Sequence, residues 1–182
     1  LDLRTRPKTI ETPLIMAIIA EAIKQVAPRR FFYSERGFSG QFQANLERLL
    51  REKNLISDRT LVEEEYQKRI RDHGISHRPD VIIHIPFEER VTRSRREGNF
   101  IAFELKLRAN KNDALHDFAK LNDYITILKY QLGIFVNINS EKSFIELVPN
   151  DKIHVLNVLR NRQEVVVVHS YLKNGKAVCQ RL

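Results

Sequence analysis

Cysteine is nearly missing from this 182-residue chain, with Cys179 the lone example. One cysteine excludes an internal disulfide, fits a reducing compartment and reads as a packing or surface thiol. Long apolar runs are missing too. The longest, Pro13 to Ala20, is followed by Glu21 and Lys24, well short of the roughly 20 residues a bilayer span needs. No basic, apolar, small-residue leader opens the chain, which starts at Leu1 rather than methionine and reads as an excised piece of a longer protein. There is no glycine-rich G-x-x-x-x-G-K-[ST] loop and no Gly-x-Ser-x-Gly elbow, which argues against ATP hydrolysis and serine-hydrolase chemistry. Repeats, low-complexity tracts and dividing linkers are absent as well. The expectation is one domain over 1–182, large enough to bury roughly 70% of the surface its unfolded chain exposes.

Basic charge is in excess. Lys and Arg total 31 against 23 Asp and Glu, a formal net charge of +8 with a sequence pI near 9.7. That raises the prior for a polyanionic partner without identifying one.

Thr12-Pro13 suits a helix start, with Thr12 as cap and Pro13 in the first turn, and the apolar stretch runs to Val26 ahead of Pro28. Turn-forming and charged residues fill Arg29 to Gly40. Phe42, Leu46, Leu49 and Leu50 then mark an amphipathic helix, from about Gln41 to Lys53. Thr60 to Tyr66 has strand character diluted by glutamates. Val81 to Ile85 is an apolar run of central-strand length that Pro86 closes. Glu88 to Gly98 reads as an exposed loop leading to a strand over Asn99 to Arg108, and antiparallel pairing is the simplest arrangement. A helix starting at Asn112 or Asp113 and carrying Leu115, Phe118, Leu121, Ile125 and Leu128 leads to a strand at Leu132 to Ile138, a parallel crossover unit. Phe144 to Val148 and Val165 to His169 look extended, with a short helix expected over Asp151 to Arg160. Asn174-Gly175 signals a hairpin into Ala177 through Leu182.

Two of these strands carry the chemistry. His77-Arg78-Pro79-Asp80 opens one, and Phe103-Glu104-Leu105-Lys106-Leu107 lies in the other. Alternation along a strand projects Glu104 and Lys106 from the same face. If the strands are neighbours, Asp80 joins them. Two carboxylates offer hard oxygen ligands to a divalent ion, and a lysine beside the bound water completes equipment for phosphodiester hydrolysis. Each residue alone has a plain reading: a turn aspartate after proline, or a half-exposed salt bridge.

Together, Pro79-Asp80 and Glu104-Leu105-Lys106 resemble the PD-(D/E)XK nuclease superfamily, which includes restriction and repair enzymes. The resemblance spans Tyr33 to Asn139 as helix, three strands, helix and strand. It leaves an N-terminal helix at about 12–27 and a C-terminal β-hairpin at about 164–182 outside the core of about 33–139. It implies an α/β, restriction-endonuclease-like fold with a mixed β-sheet flanked by α-helices. It also implies a Mg²⁺-dependent nuclease, Mn²⁺ being a possible substitute, acting most often on DNA in restriction, defence, repair or mobile elements. The alternative is a nuclease-like binding or assembly module that no longer cuts. By the same resemblance, Asp80 and Glu104 would hold the metal with the Leu105 carbonyl and Glu35, while Lys106 acts on the attacking water. Glu35, in Ser34-Glu35-Arg36, is preferred over Glu47 as the family's helix carboxylate. A prokaryotic cytoplasmic protein is implied, acting as a homodimer or with further domains.

Asp117 and Lys120-Leu121 are similar to an Asp-x-x-Lys-Leu pattern of some relatives, and Lys120 could reach a scissile-strand phosphate. Asp113, Asp117, Lys120 and Tyr124 share one helix face by spacing, which on sequence grounds is expected to be a solvated stripe. Arg90, Arg93, Arg95 and Arg96 sit in the charged loop and could contact phosphates without reading sequence, though a solubilising loop is the plainer reading. His73 and His77 have helical metal-ligand spacing, but Gly74 between them argues against a helix and against zinc. His84 is expected to be a satisfied core histidine, and His116 a helix-surface residue.

Overall fold

The computed structural model describes residues 11–26, 29–56, 60–64, 74–85, 98–162 and 164–182. Its centre is a mixed sheet, which among the described residues has seven strands in sequential order. They are β1 (Leu61–Glu64), β2 (Val81–His84), β3 (Asn99–Leu107), β4 (Leu132–Ile138), β5 (Ile153–Arg160), β6 (Val165–Lys173) and β7 (Lys176–Arg181). β3, β4 and β5 run parallel, and the other neighbours pair antiparallel. The expected α/β architecture, a mixed sheet flanked by helices, is the one observed.

Among the described residues three α-helices cover the faces: α1 (Thr12–Lys24), α2 (Glu35–Glu52) and α3 (Lys111–Thr126). α1 and α2 pack on one face around Phe42, Leu46, Phe103, Ile134 and Leu156, and α3 packs on the other around Phe118, Leu121, Phe135 and Val155. The inner strands β2 and β4 are buried on both faces. That is why their sequences are continuously apolar rather than alternating. Phe42 meets Phe103 edge-on, with ring centroids 5.3 Å apart, a contact worth about 1 kcal/mol beyond its burial. It ties α2 to the strand that carries Glu104.

Several sequence expectations need correction. α2 starts at Glu35, not near Gln41. Ser34 caps it by accepting from the Gly37 amide at 3.2 Å, and Phe38 extends the buried i, i+4 stripe of Phe42, Leu46 and Leu50 by one turn. Thr12 is helical rather than a cap; Glu11 takes the cap position, and its side chain makes no capping hydrogen bond. The helix expected over Asp151 to Arg160 is strand β5. Ile153, Leu156 and Leu159 fit helical spacing, but Ile153 and Val155 face α3 while Leu156 and Val158 face the opposite core. Period two with β-branched residues prevails once the strand is buried on both faces. Phe144 to Val148 is not extended. Phe144 takes a left-handed conformation (φ 53°) and Ile145–Leu147 forms a 3₁₀ turn, which lets Ile145 and Val148 tuck under α3 as the chain returns to start β5.

The Asn174-Gly175 hairpin forms as expected, with φ of 52° and 73° at its two turn residues. β1 covers Leu61–Glu64 of the strand expected from Thr60 to Tyr66, the remainder lying outside the described residues. Among the described residues, no helix is long and apolar enough to cross a membrane.

Candidate active site

Asp80 stands immediately before β2. Its backbone N–H donates to the Phe103 carbonyl at 3.0 Å, extending the ladder by one rung. Its Oδ2 accepts from the amide of Leu105 at 2.6 Å, the residue between Glu104 and Lys106. Antiparallel pairing of β2 with β3 thus brings together residues 24 positions apart in sequence.

Glu104 is buried, 1% exposed. Its Oε2 accepts from Lys120 Nζ at 2.7 Å and its Oε1 from the Tyr124 hydroxyl at 3.0 Å. Lys120 also pairs with Asp117 at 2.8 Å. An Asn110–Asp113 capping box fixes the start of α3 directly after β3. Four- and three-residue spacing then turns Asp117, Lys120 and Tyr124 down onto the strand. The stripe expected to be solvated is therefore largely buried, with Asp117 at 1% and Tyr124 at 0% exposure. Polarity alone misleads here because the partner of those polar groups, Glu104, comes from another element. Asp113 instead serves the cap.

Burial first, and the neighbouring Asp80 second, push the Glu104 carboxyl up to about 8 against the pull of Lys120. Asp80 is raised too, by burial, with the Leu105 amide and Lys120 opposing. Burial works against the Lys106 ammonium, but Glu35, Asp117 and Asp80 outweigh it and hold its pKa above the usual lysine value. Lys120 is raised likewise, Glu104 and Asp117 overcoming burial. Burial and Glu104 raise Tyr124, keeping its phenol a neutral donor.

Glu35 enters from the first turn of α2. Its Oε2 accepts from the Leu107 amide at 2.8 Å, and its Oε1 lies 3.4 Å from Lys106 Nζ. Glu47 is three turns further along, about 18 Å by helical rise, and pairs with Arg51 at 2.8 Å. Of the two candidates, Glu35 is the one beside Lys106. An open cleft of about 390 Å³ lies here, lined by Glu35, Arg36, Ser39, Glu64, Asp80 and Leu105. Glu64 was not singled out from sequence. It sits in a run of three glutamates, and only the strand pairing of Leu61–Glu64 shows that this one faces the cleft.

The chemistry of the donor set fits a divalent cation in part. Asp80 raises the pKa of Glu104, Asp117 raises both, and Asp117 Oδ2 is buried without a hydrogen-bond partner. This is an excess of negative charge that a bound cation would relieve. Against a ready-made cage, no group of three or more His, Cys, Asp or Glu among the described residues is placed to hold a metal. Any cation would draw on Asp80, Glu104 and backbone oxygen such as that of Leu105.

His84 is buried and bonded through Nε2 to Glu63, as expected of a core histidine. His77 lies in a non-helical segment, against the Tyr124 ring and 3.5 Å from Asp123. His116 and Cys179 are exposed. His73 and the loop arginines Arg90, Arg93, Arg95 and Arg96 lie outside the described residues.

No protein-family model matches this chain, and no curated protein matches it. Among solved structures, NucC of E. coli MS115-1 in its cAAA-bound form is similar in fold. The TM-score is 0.56 at 10% identity, covering 97% of this chain and 85% of that one. At that identity the likeness carries the fold alone.

Proposed function

We propose that this chain is a Mg²⁺-dependent nuclease of PD-(D/E)XK type that hydrolyses phosphodiester bonds, with DNA the first substrate to test. One observation carries the reading: the Asp80 carboxylate is bonded to the amide between Glu104 and Lys106, so the three groups share one electrostatic cluster at the edge of a cleft. The similar fold of NucC supports it. A bound Mg²⁺, which Mn²⁺ could replace, would polarise the phosphate, lower the pKa of a coordinated water and offset the charge that grows on the phosphorus oxygens.

The chain's own residues have separable tasks. Asp80 and Glu104 supply the negative charge, and the Leu105 amide holds Asp80 in place. Tyr124 and Lys120 fix the orientation of Glu104. Lys106, an ammonium held by Glu35, orients the attacking water and meets phosphate charge. Lys120 neutralises the carboxylate cluster and is proposed to reach a scissile-strand phosphate. Arg93, Arg95 and Arg96 are proposed as backbone-phosphate contacts.

The second reading is a nucleic-acid-binding or assembly module that does not cut. The observation on its side is that no three-acid set occurs among the described residues. Plasmid DNA and short oligonucleotides incubated with Mg²⁺, Mn²⁺ or EDTA separate the two. The expected outcome is cleavage with either cation and none with EDTA. Asp80→Ala, Glu104→Ala and Lys106→Ala should each abolish cleavage while far-UV circular dichroism stays folded. Binding without cation-dependent cleavage would favour the module.

A further inference from the structure

Two residues outside this machinery bracket it in the chain. Tyr33 stands two residues before Glu35, and Arg108 two residues after Lys106. The structure brings them together, with the Arg108 guanidinium over the Tyr33 ring at 6.0 Å from its centroid. The Leu107 amide donates to the Glu35 carboxylate, tying the start of α2 to the end of β3. Arg108 takes a left-handed conformation (φ 52°), and its backbone N–H donates to the Ile138 carbonyl at 2.9 Å. Tyr33 is 51% exposed, the highest among the large exposed hydrophobic residues described. Arg36, exposed, lines the adjoining cleft.

An aromatic ring left half in water costs apolar exposure, yet this one is held in place by a guanidinium beside a cluster of carboxylates and a lysine. A half-exposed ring with a cation over one side is suited to stack on a base, and the neighbouring guanidinium to meet phosphate. The charge agrees: Arg36, which lines the cleft, and Arg108, which lies over Tyr33, are both exposed.

We infer that Tyr33 and Arg108 form a nucleotide-holding platform at the rim of the cleft. The Tyr33 ring stacks on an unpaired base, and Arg108 and Arg36 take the adjoining phosphates. This rests on the nuclease reading and adds a substrate preference to it: single-stranded or frayed nucleic acid is held more tightly than blunt duplex.

The test is fluorescence anisotropy of a labelled single-stranded 12-nucleotide DNA and of the blunt duplex of the same length. The protein is the full chain carrying Glu104→Gln to prevent cutting, in Ca²⁺. Tyr33→Ala should weaken single-strand binding about tenfold, by the worth of one stacked base, and duplex binding much less. Tyr33→Trp should restore it. Arg108→Gln should weaken both substrates and flatten the salt dependence by about one phosphate contact. Unchanged single-strand affinity in Tyr33→Ala, an equal loss on both substrates, or a Tyr33→Trp protein as weak as Tyr33→Ala would each overturn the platform. So would a parent protein that binds no oligonucleotide. The nuclease reading is judged separately, by cation-dependent cleavage in the unmutated chain, which can persist when the platform fails.

Discussion

Glu104→Gln isolates the electrostatic cost of the site. The Glu104 carboxyl is 1% exposed and pushed up to about 8 from an ordinary 4.5. The folded state therefore keeps a proton that the unfolded chain has already lost between those two pH values. Stability from this group is fully present below pH 4.5 and is lost as pH rises toward 8, at no more than about 1.4 kcal/mol per pH unit. From pH 5 to pH 8 the ceiling is about 4 kcal/mol. Lys120, 2.7 Å from the acid, already holds the pKa down to about 8, so the ceiling is not reduced further on its account. Glutamine carries no charge and removes the slope. It also forfeits a charge-assisted hydrogen bond with Lys120, about 1.5–3 kcal/mol. The mutant should thus be less stable than the parent at pH 5 and equal or better at pH 8. Urea unfolding in EDTA at pH 5, 6, 7 and 8 reads the difference directly, since other titrating groups cancel between the two proteins. A difference flat to within about 0.5 kcal/mol across the range would refute the burial and charge reasoning for Glu104.

Two further outcomes follow from the fold. His154 and His169 are buried and hydrogen-bonded ring to ring at 2.9 Å, and burial holds both near 4, below the ordinary 6.5. Their contribution is full above pH 6.5 and falls as pH drops toward 4, by about 3 kcal/mol for His154; His154→Phe should lessen the acid sensitivity in a urea series from pH 4 to 7, and an unchanged slope would contradict the assignment. At Gly98 an added Cβ would lie 2.1 Å from the Ile85 carbonyl oxygen, across the pair that continues β2 against β3. Gly98→Ala should cost about 1–3 kcal/mol, and wild-type stability in the same assay would contradict the close approach.

The strands bearing Asp80 and Glu104 were legible because burial on both faces writes itself as a continuous apolar run, and Asn174-Gly175 because few dipeptides accept two left-handed residues. β5 was not, since Ile153, Leu156 and Leu159 fit helical spacing while Ile153 with Val155 and Leu156 with Val158 fit the two faces of a buried strand, and only tertiary burial decides. The adjacency of Asp80 to the Glu104–Lys106 segment could be anticipated from motif and placement. The company it keeps could not. Asp117, Lys120 and Tyr124 look like a wet helix face until Glu104 is set beneath them, and Glu64 is indistinguishable from its neighbours until β1 pairs with β2.

The central physical claim is that Asp80 and Glu104 share one divalent cation. Mn²⁺ uptake followed by electron paramagnetic resonance tests it without requiring turnover. The expected result is loss of the free-Mn²⁺ signal on titration with the wild-type chain, and its persistence with Asp80→Asn and with Glu104→Gln. Equal uptake by all three proteins, or none by the wild type, would contradict the claim.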